Sequence, residues 1–227
     1  MEALPFIGDA AEVIEKTRDA DALIVSASPV TRRVMESLEG LKVVVRTGVG
    51  YDVIDVPAAT ELGVVVVNVP DVWIREVANH AMALLLAWNR KIVDLDREVR
   101  AGTWASRVPG PVTGSLHNET VGIVGLSNIG RAFARRIAAL ETKVIACDPY
   151  VDDKHFKALS VERMDLHTVA ARSDYVSVHT LLNAETRGLI DEAFLRRMKP
   201  TACLINTSRG PVVDEAALAR ALEQGWL

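Results

Sequence analysis

The stretch that decides the fold is Val121-Gly-Ile-Val-Gly125-Leu-Ser127-Asn-Ile-Gly130, followed by a helical run and by Lys143-Val-Ile-Ala-Cys-Asp148. Its pattern predicts a strand, a tight glycine turn, a helix and a second strand that ends at an acidic residue. This is the order of elements in a dinucleotide-binding βαβ unit. The sequence therefore predicts a doubly wound parallel sheet around residues 121–148.

Several positions of this stretch have a physical role in such a unit. Gly125 allows the chain to turn sharply off the strand, and Gly130 lets the helix pack close to the sheet. The backbone N–H groups of the first helical turn, near Asn128 and Ile129, can bind a pyrophosphate. Asp148 lies 18 residues beyond Gly130, where its carboxylate can accept hydrogen bonds from ribose hydroxyls. Because a carboxylate there repels a 2′-phosphate, the sequence predicts NAD rather than NADP as the cofactor.

The middle glycine of the fingerprint is replaced by Ser127. This position is where the backbone approaches the pyrophosphate most closely, and a serine hydroxyl can itself donate a hydrogen bond to a phosphate oxygen. We therefore predict that Ser127 contacts the cofactor. The alternative, an ordinary βα turn in a doubly wound sheet that binds nothing, stays open at this point.

Composition sets the class of protein. The chain has 227 residues, 49% of them hydrophobic, which allows one large or two small domains with buried parallel sheets. A net charge of −4 gives no reason to expect nucleic acid or an anionic membrane as a partner. No signal peptide opens the chain, so a cytoplasmic location is predicted. Cys147 and Cys203 stand in apolar runs that predict buried free thiols, and no Cys/His spacing predicts a metal site.

The first 70 residues predict three apolar strands alternating with helices, which indicates a small parallel α/β unit. A single long helix is predicted over residues 74–101, followed by a loop rich in Gly and Pro at 102–118. We place the domain boundary between residues 93 and 94. The second domain, residues 94–227, is predicted to have the strand order 3-2-1-4-5.

Four motifs carry a resemblance to a known family. They are Arg46-Thr-Gly-Val-Gly-Tyr-Asp52, Glu76-Val-Ala-Asn-His-Ala81, the glycine turn with Asp148-Pro-Tyr, and Leu204-Ile-Asn-Thr-Ser-Arg-Gly-Pro-Val-Val-Asp-Glu215. Over essentially its whole length the chain resembles the D-isomer-specific 2-hydroxyacid dehydrogenases, closest to the branch of the C-terminal-binding-protein-like dehydrogenases. The resemblance implies a Rossmann-type NAD-binding domain lacking its last strands, and an incomplete flavodoxin-like substrate domain over residues 1–93. The chain is thus expected to be truncated at both ends.

The resemblance implies a chemistry in which a hydride passes between C4 of nicotinamide and C2 of a small D-2-hydroxy or 2-oxo acid. The arginine that polarises the 2-oxo group and holds the carboxylate maps onto Arg209, whose guanidinium fork suits an oxo-acid better than lysine would. The backbone N–H groups of Val49 and Gly50 resemble the family's substrate-carboxylate cradle, although a plain turn is the competing interpretation. By resemblance, Thr180, Thr207 and Ser208 line the nicotinamide side with Arg209.

The sequence also departs from the family pattern. The family's proton-transferring histidine and its glutamate partner follow the arginine, whereas all five histidines (80, 117, 155, 167 and 179) precede Arg209 here and only 18 residues follow it. Val53 and Leu181 stand where Asn and Pro are usual. Two hypotheses therefore remain: an NAD-dependent D-2-hydroxyacid dehydrogenase, or a non-catalytic cofactor-binding or dimerising interaction protein on the same fold. The resemblance implies a homodimer with the long helix at its interface.

Overall fold

The computed structural model describes residues 3–103 and 114–227, in which the chain divides into two compact units, Met1–Trp73 and Ile74–Leu227. The first unit alternates helices and strands in the order α1 (Ala10–Lys16), β1 (Ala22–Val25), α2 (Arg32–Ser37), β2 (Val43–Arg46), α3 (Val56–Leu62) and β3 (Val65–Val67). Its three strands form one parallel sheet in the order β1-β2-β3, as the apolar runs predict. Each helix starts at a side chain that accepts a hydrogen bond from the first helical turn, namely Asp9, Thr31 and Asp55.

The core of the first unit lies on one face of its sheet. Leu23, Val25 and Val44 are buried there in one cluster with side chains of all three helices. The opposite face carries apolar side chains that are exposed, and Ile24 and Val65 each retain 59% of their accessible surface. The alternating burial of β1 therefore resembles that of a half-covered sheet, although its sequence is continuously apolar.

The second unit contains the larger sheet. Its elements are α4 (Ile74–Asn89), α5 (Ile92–Arg100), a 3₁₀ turn (Leu116–Asn118), β4 (Thr120–Val124), α6 (Asn128–Ala138), β5 (Lys143–Cys147), α7 (Asp153–Ala158), β6 (Glu162–Arg163), α8 (Leu166–Arg172), β7 (Tyr175–Val178), α9 (Glu192–Leu195), β8 (Cys203–Asn206), a second 3₁₀ turn (Gly210–Val212) and α10 (Glu215–Glu223). All five strands are parallel, in the order β6-β5-β4-β7-β8.

This strand order is the predicted 3-2-1-4-5. One hydrophobic cluster joins the sheet to α4, α6 and Phe156 of α7, and a second cluster joins it to α8, α9 and α10. The sheet is therefore covered on both faces, which confirms the predicted doubly wound, Rossmann-type fold. Strand order reverses at β4, whose neighbours are β5 and β7, so its carboxyl end is the point where open α/β sheets place ligands.

Helix α4 packs with the second unit. Ala78, Ala81 and Leu85 are fully buried in the same cluster as α6, and Arg136 Nε donates to Asn79 Oδ1 at 2.7 Å. For this reason the division between compact units falls at the start of α4 and not at the predicted boundary after residue 93. The predicted assignment of a substrate domain and a cofactor domain to the two parts of the chain stays a prediction.

The prediction of a single long helix over residues 74–101 is wrong, because the structure has two helices there. Helix α4 ends at Asn89, and α5 begins after Lys91, which adopts a left-handed conformation with φ 50°. No glycine or proline marks this break in the sequence. Part of the predicted loop at 102–118, residues 104–113, lies outside the described residues. Among the helices that are described, none has the length and apolarity to cross a bilayer.

Candidate cofactor site

The glycine turn after β4 has the predicted geometry. Gly125 has φ 93°, a left-handed conformation that disfavours any other residue, and its N–H donates to Cys147 O at 2.9 Å. A Cβ added to Gly130 would lie 2.1 Å from Gly125 O, so only glycine lets α6 start this close to the turn. Ser127 is the N-cap of α6, and its side chain makes no capping hydrogen bond. The first-turn N–H groups near Asn128 and Ile129 thus have no side-chain cap, which is what an anion-binding helix start requires.

Asp148 is held against this turn from the end of the neighbouring strand. Its Oδ2 accepts from Leu126 N at 2.7 Å, and its Oδ1 accepts from Tyr150 N at 2.9 Å. Each carboxylate oxygen keeps a second lone pair, so the group can also accept from ribose hydroxyls. The Tyr150 hydroxyl donates to Glu185, and this hydrogen bond to a carboxylate raises the pKa of Tyr150.

The predicted nicotinamide-side residues lie at the carboxyl ends of β7 and β8. The hydroxyl oxygens of Thr180 and Thr207 are buried and have no hydrogen-bond partner within the described residues. A Cβ on Gly125 would meet Thr180 Cγ2 at 3.0 Å, which places Thr180 beside the glycine turn. Buried hydroxyls are nearly always paired in folded proteins, so these two fit a site where a ligand supplies the partner.

Arg209 follows β8 in a loop that Asn206 organises. Asn206 Oδ1 accepts from Ser208 N at 3.0 Å, and Asn206 Nδ2 donates to Arg209 O at 2.8 Å. The Arg209 side chain is half-buried, and its Nη1 donates to Ser208 O at 2.9 Å. The loop geometry therefore holds the backbone of Ser208 and Arg209 at the same sheet edge as the glycine turn.

The histidine that directly follows β7 is a packing residue. His179 lies against Phe133 of α6 with ring centroids 5.1 Å apart, and its Nε2 is 2.9 Å from Ser177 Oγ. Burial lowers the pKa of His179 to about 4, so the ring is neutral at physiological pH. A Cβ on Gly125 would approach the His179 carbonyl carbon to 2.9 Å, so this residue forms the wall behind the turn.

The other predicted binding residues, Val49 and Gly50, lie in the turn after β2 of the first unit. Asn68, which follows β3, donates from Nδ2 to Val49 O at 2.9 Å and so fixes the orientation of this peptide group. Asn68 was not among the site residues predicted from the sequence. The feature that could have indicated it is an amide side chain directly after a parallel strand, at the same sheet edge as the Val49 turn.

Two arginines near the cofactor residues were also not identified from the sequence. Arg131 Nη2 donates to Asn128 Oδ1 at 2.5 Å, which places a cation over the first turn of α6. Arg163 of β6 donates from Nη2 to the backbone carbonyl of Asp148 at 3.0 Å. Arg131 stands one residue beyond the fingerprint and could have been found by its spacing. Arg163 could not have been found in this way, because its position beside Asp148 depends on the pairing of β6 with β5.

The cysteines show no sign of catalytic activation. Both are free and half-buried. Burial raises the pKa of the Cys147 thiol above its ordinary value, and burial raises the pKa of the Cys203 thiol to about 11. Both therefore stay protonated near neutral pH, which makes them poor nucleophiles. In the described residues, no group of three or more His, Cys, Asp or Glu side chains could hold a metal ion.

Comparison with known proteins identifies the family. Residues 82–227 match the family model described as the NAD-binding domain of D-isomer-specific 2-hydroxyacid dehydrogenases. The chain belongs to the D-isomer-specific 2-hydroxyacid dehydrogenase family. This match confirms the predicted family and the predicted cofactor, NAD, for the domain whose turn and acidic residue are described above.

Individual members of the family show how much of a relative this chain covers. It is 43% identical over 219 residues to a D-3-phosphoglycerate dehydrogenase of Mycobacterium leprae, covering 96% of this chain and 41% of the relative. It is 41% identical over 218 residues to a glyoxylate reductase of Korarchaeum cryptofilum, covering 95% of this chain and 66% of that relative. An acyclic imino acid reductase solved in complex with NADPH and D-Arg superposes with a TM-score of 0.85 at 32% identity, over 96% of this chain and 69% of that one. The chain thus spans less than two thirds of the length of the two curated relatives, the phosphoglycerate dehydrogenase and the glyoxylate reductase.

Proposed function

We propose that this chain is part of an NAD-dependent oxidoreductase that transfers a hydride between nicotinamide and C2 of a small D-2-hydroxy or 2-oxo acid. The observation that carries the proposal is the grouping at one sheet edge of the glycine turn, the Asp148 carboxylate, two unpartnered buried hydroxyls and the Arg209 loop. The edge is that of the topological switch point, where this fold binds dinucleotides.

In this proposal the chain's own residues bind and orient the reactants. The first turn of α6 binds the pyrophosphate, and Ser127 donates to a phosphate oxygen. Asp148 accepts from the ribose, while Thr180, Thr207 and Ser208 orient the nicotinamide. The bound NAD supplies or accepts the hydride. Arg209 binds the substrate carboxylate and polarises the 2-oxo group. In the first unit, the backbone N–H groups of Val49 and Gly50 form a turn suited to bind a carboxylate.

A binding titration together with a turnover panel tests the proposal. NADH binding is followed by the cofactor's fluorescence, and turnover is measured with NADH and glyoxylate, hydroxypyruvate, pyruvate or phenylpyruvate. D-3-phosphoglycerate with NAD is added because of the similarity to the mycobacterial dehydrogenase. We expect NADH to bind and at least one of these acids to be turned over. Absence of NADH binding would overturn the proposal.

The role of Arg209 has its own test. Arg209→Ala is expected to abolish reduction of 2-oxo acids while leaving the affinity for NADH within a few-fold, because the guanidinium acts on the substrate. Arg209→Lys should restore little, since an ammonium group cannot make the bidentate contact. Arg197→Ala, at an exposed arginine of the same unit, is the matched control. Equal loss of binding and turnover in Arg209→Ala would contradict the assignment.

A second candidate function, a non-catalytic NAD-binding or dimerising protein, is favoured by one observation. Within residues 3–103 and 114–227 the histidines with hydrogen-bonded side chains are His117, paired with Ser115, and His179, paired with Ser177; none has a carboxylate partner. His179, neutral at physiological pH, is a poor proton donor there. NADH binding without turnover of any acid in the panel would support this second function.

Homodimerisation is the remaining part of the proposal. Exposed apolar side chains follow one another along α4 and α5, at Leu84, Trp88, Ile92, Val93, Leu95 and Val99. An apolar surface of this kind on a soluble domain indicates a protein interface, and the family resemblance points to a second copy as the partner. Light scattering after size exclusion is expected to give a dimer, and Val93→Glu a monomer. If the parent chain is a monomer, this interface is excluded. A cytoplasmic location remains part of the proposed function.

A further inference from the structure

Arg163 lies beside the residue that is proposed to bind the ribose. Strand β6 pairs with β5 so that Arg163 is opposite Ala146, two residues before Asp148. From there its side chain reaches the end of β5, where Nη2 donates to Asp148 O at 3.0 Å. The guanidinium also lies over the ring of Phe156 at 5.0 Å and forms an ion pair with Asp153 at 2.5 Å. A cation is thus held at the adenosine end of the cofactor site.

The three carboxylates near this cation differ in how their charge is compensated. Asp153 pairs with Arg163, and Asp152 pairs with Lys154 at 3.0 Å. The Asp148 carboxylate accepts from two backbone N–H groups and, within the part of the chain that the structure describes, forms no ion pair. Of the three, Asp148 therefore carries the negative charge that is least compensated. Its carboxylate dominates the repulsion of a phosphate at this position.

The ion pair of Arg163 can exchange its partner at low cost. The side chains of Arg163 and Asp153 are 40% and 68% exposed, and exposed ion pairs contribute little net stability. The contacts with Phe156 and with the Asp148 carbonyl hold the guanidinium in place independently of Asp153. A phosphate would therefore meet an oriented guanidinium fork, the group best suited to bind it through two parallel hydrogen bonds.

We propose that Arg163 is a second specificity-determining residue of the adenosine subsite: it binds a ribose 2′-phosphate when the charge of Asp148 is removed. The preference for NAD then depends on Asp148 alone, and the cation needed for NADP is already in position. This inference rests on the proposed cofactor function of the glycine turn. It predicts that one substitution at Asp148 reverses the cofactor preference from NADH to NADPH. If Asp148 acted only by repelling the 2′-phosphate and no cation bound that phosphate, the substitution would only weaken the preference for NADH.

Fluorescence titrations with NADH and NADPH test the proposal on four chains: the parent, Asp148→Asn, Asp148→Asn with Arg163→Leu, and Asp148→Asn with Arg172→Leu. Asparagine keeps the shape of the aspartate and an acceptor for the turn while removing the charge. We expect Asp148→Asn to bind NADPH at least ten-fold more tightly than the parent does and more tightly than it binds NADH. Adding Arg163→Leu should weaken NADPH binding at least ten-fold and change NADH binding less than two-fold, since a hydrogen-bonded charge pair is lost only with NADPH.

Arg172→Leu is the matched control, because Arg172 forms an exposed ion pair with Glu162 of β6 and, within the described residues, neither a hydrogen bond nor an ion pair with Asp148. It should leave both affinities within two-fold. If Arg163→Leu has no more effect on NADPH binding than Arg172→Leu, the proposal is overturned. It is also overturned if Asp148→Asn binds NADH and gains no affinity for NADPH. If the parent chain binds neither dinucleotide, the proposed cofactor function itself fails, and the two failures are thus distinguished.

Discussion

The two sheets of this protein are built from similar sequences and are buried differently. Strand β7 of the large sheet is buried at all four of its positions, whereas β1 of the small sheet alternates between exposed and buried. Both strands are mostly apolar, with the sequence Ala22-Leu-Ile-Val25 in β1 and Tyr175-Val-Ser-Val178 in β7. The difference arises because helices cover both faces of the large sheet, while the helices of the small unit share one cluster on a single face. Apolar content therefore predicts a parallel strand but not the number of faces that are covered.

The comparison is tested most strongly by a charge placed in each sheet. Val176→Asp puts a carboxylate at a fully buried position of β7 and is expected to cost about 4 kcal/mol or more of the free energy of unfolding. Val65→Asp, at a position of β3 that is 59% exposed, should cost less than about 1 kcal/mol. Amide hydrogen exchange, followed separately for the two sheets, measures the loss of unfolding free energy in each variant. A loss of similar size at Val65 would show that the exposed face of the small sheet is covered in solution.

A smaller loss is expected where a glycine is required by a close approach. Gly130→Ala places a methyl group against the Gly125 carbonyl and should destabilise the large unit by about 1–3 kcal/mol. Because the start of α6 must shift, NADH affinity should also fall at least ten-fold. Gly40→Ala in the small unit is the control, since the nearest atom to its added Cβ is 3.9 Å away. Denaturant unfolding and NADH titration of both variants measure these two effects. Unchanged NADH binding in Gly130→Ala would show that the glycine turn does not bind the cofactor.

The pH dependence of stability should differ between the units because all five histidines lie outside residues 1–73. The pKa of His179 is lowered from 6.5 to about 4, so the unfolded chain binds the proton more tightly than the folded one. Stability of the large unit is therefore complete above pH 6.5 and is lost as the pH falls from 6.5 towards 4. At pH 5 the loss should be about 2 kcal/mol. His179→Asn should abolish this loss in urea unfolding, while His80→Asn, at an exposed histidine, should leave it; an unchanged pH profile in His179→Asn would refute the assignment.

The smallest effects are expected at the helix caps. Asp214 accepts from Ala217 N at 2.9 Å at the start of α10, and Asp214→Ala should cost about 1 kcal/mol. Asp9 accepts from Glu12 N at 3.3 Å in an exposed position at the start of α1, so Asp9→Ala should cost about 0.5 kcal/mol. Denaturant midpoints of the two units measure these changes. A larger loss for Asp9 than for Asp214 would contradict this order, which rests on the longer and more exposed hydrogen bond at Asp9.

Much of the large unit followed from local patterns. The glycine turn, the strand that ends at Asp148 and the strand order were all predicted, because each depends on steric rules within a few residues or on the handedness of βαβ connections. Helix α7 and strand β6 were not predicted. Both residues of β6, Glu162 and Arg163, are charged and exposed, so the strand has no apolar pattern. Helix α7 has six residues and buries only Phe156.

The candidate site divides in the same way. Gly125, Gly130 and Asp148 were identifiable because the backbone of the turn allows few residue types there. The structure brings the predicted Thr180, Thr207 and Arg209 to the same edge of the large sheet, where their roles remain predictions. Asn68 and Arg163 were missed because their contacts join two strands, over 19 and 15 residues of sequence, and so depend on strand pairing and not on a local pattern.

The sequence by itself therefore determined the family, the glycine turn, the acidic residue of the ribose site and the parallel strands, since these depend on backbone sterics and on short-range periodicity. Only the tertiary structure decided where α4 ends, which face of the small sheet is buried, and that a guanidinium lies beside Asp148. Lys91 has no local feature that requires a left-handed conformation, and the register of β6 on β5 is set by packing across the whole sheet. Such features depend on contacts between distant segments, which no short stretch of sequence contains.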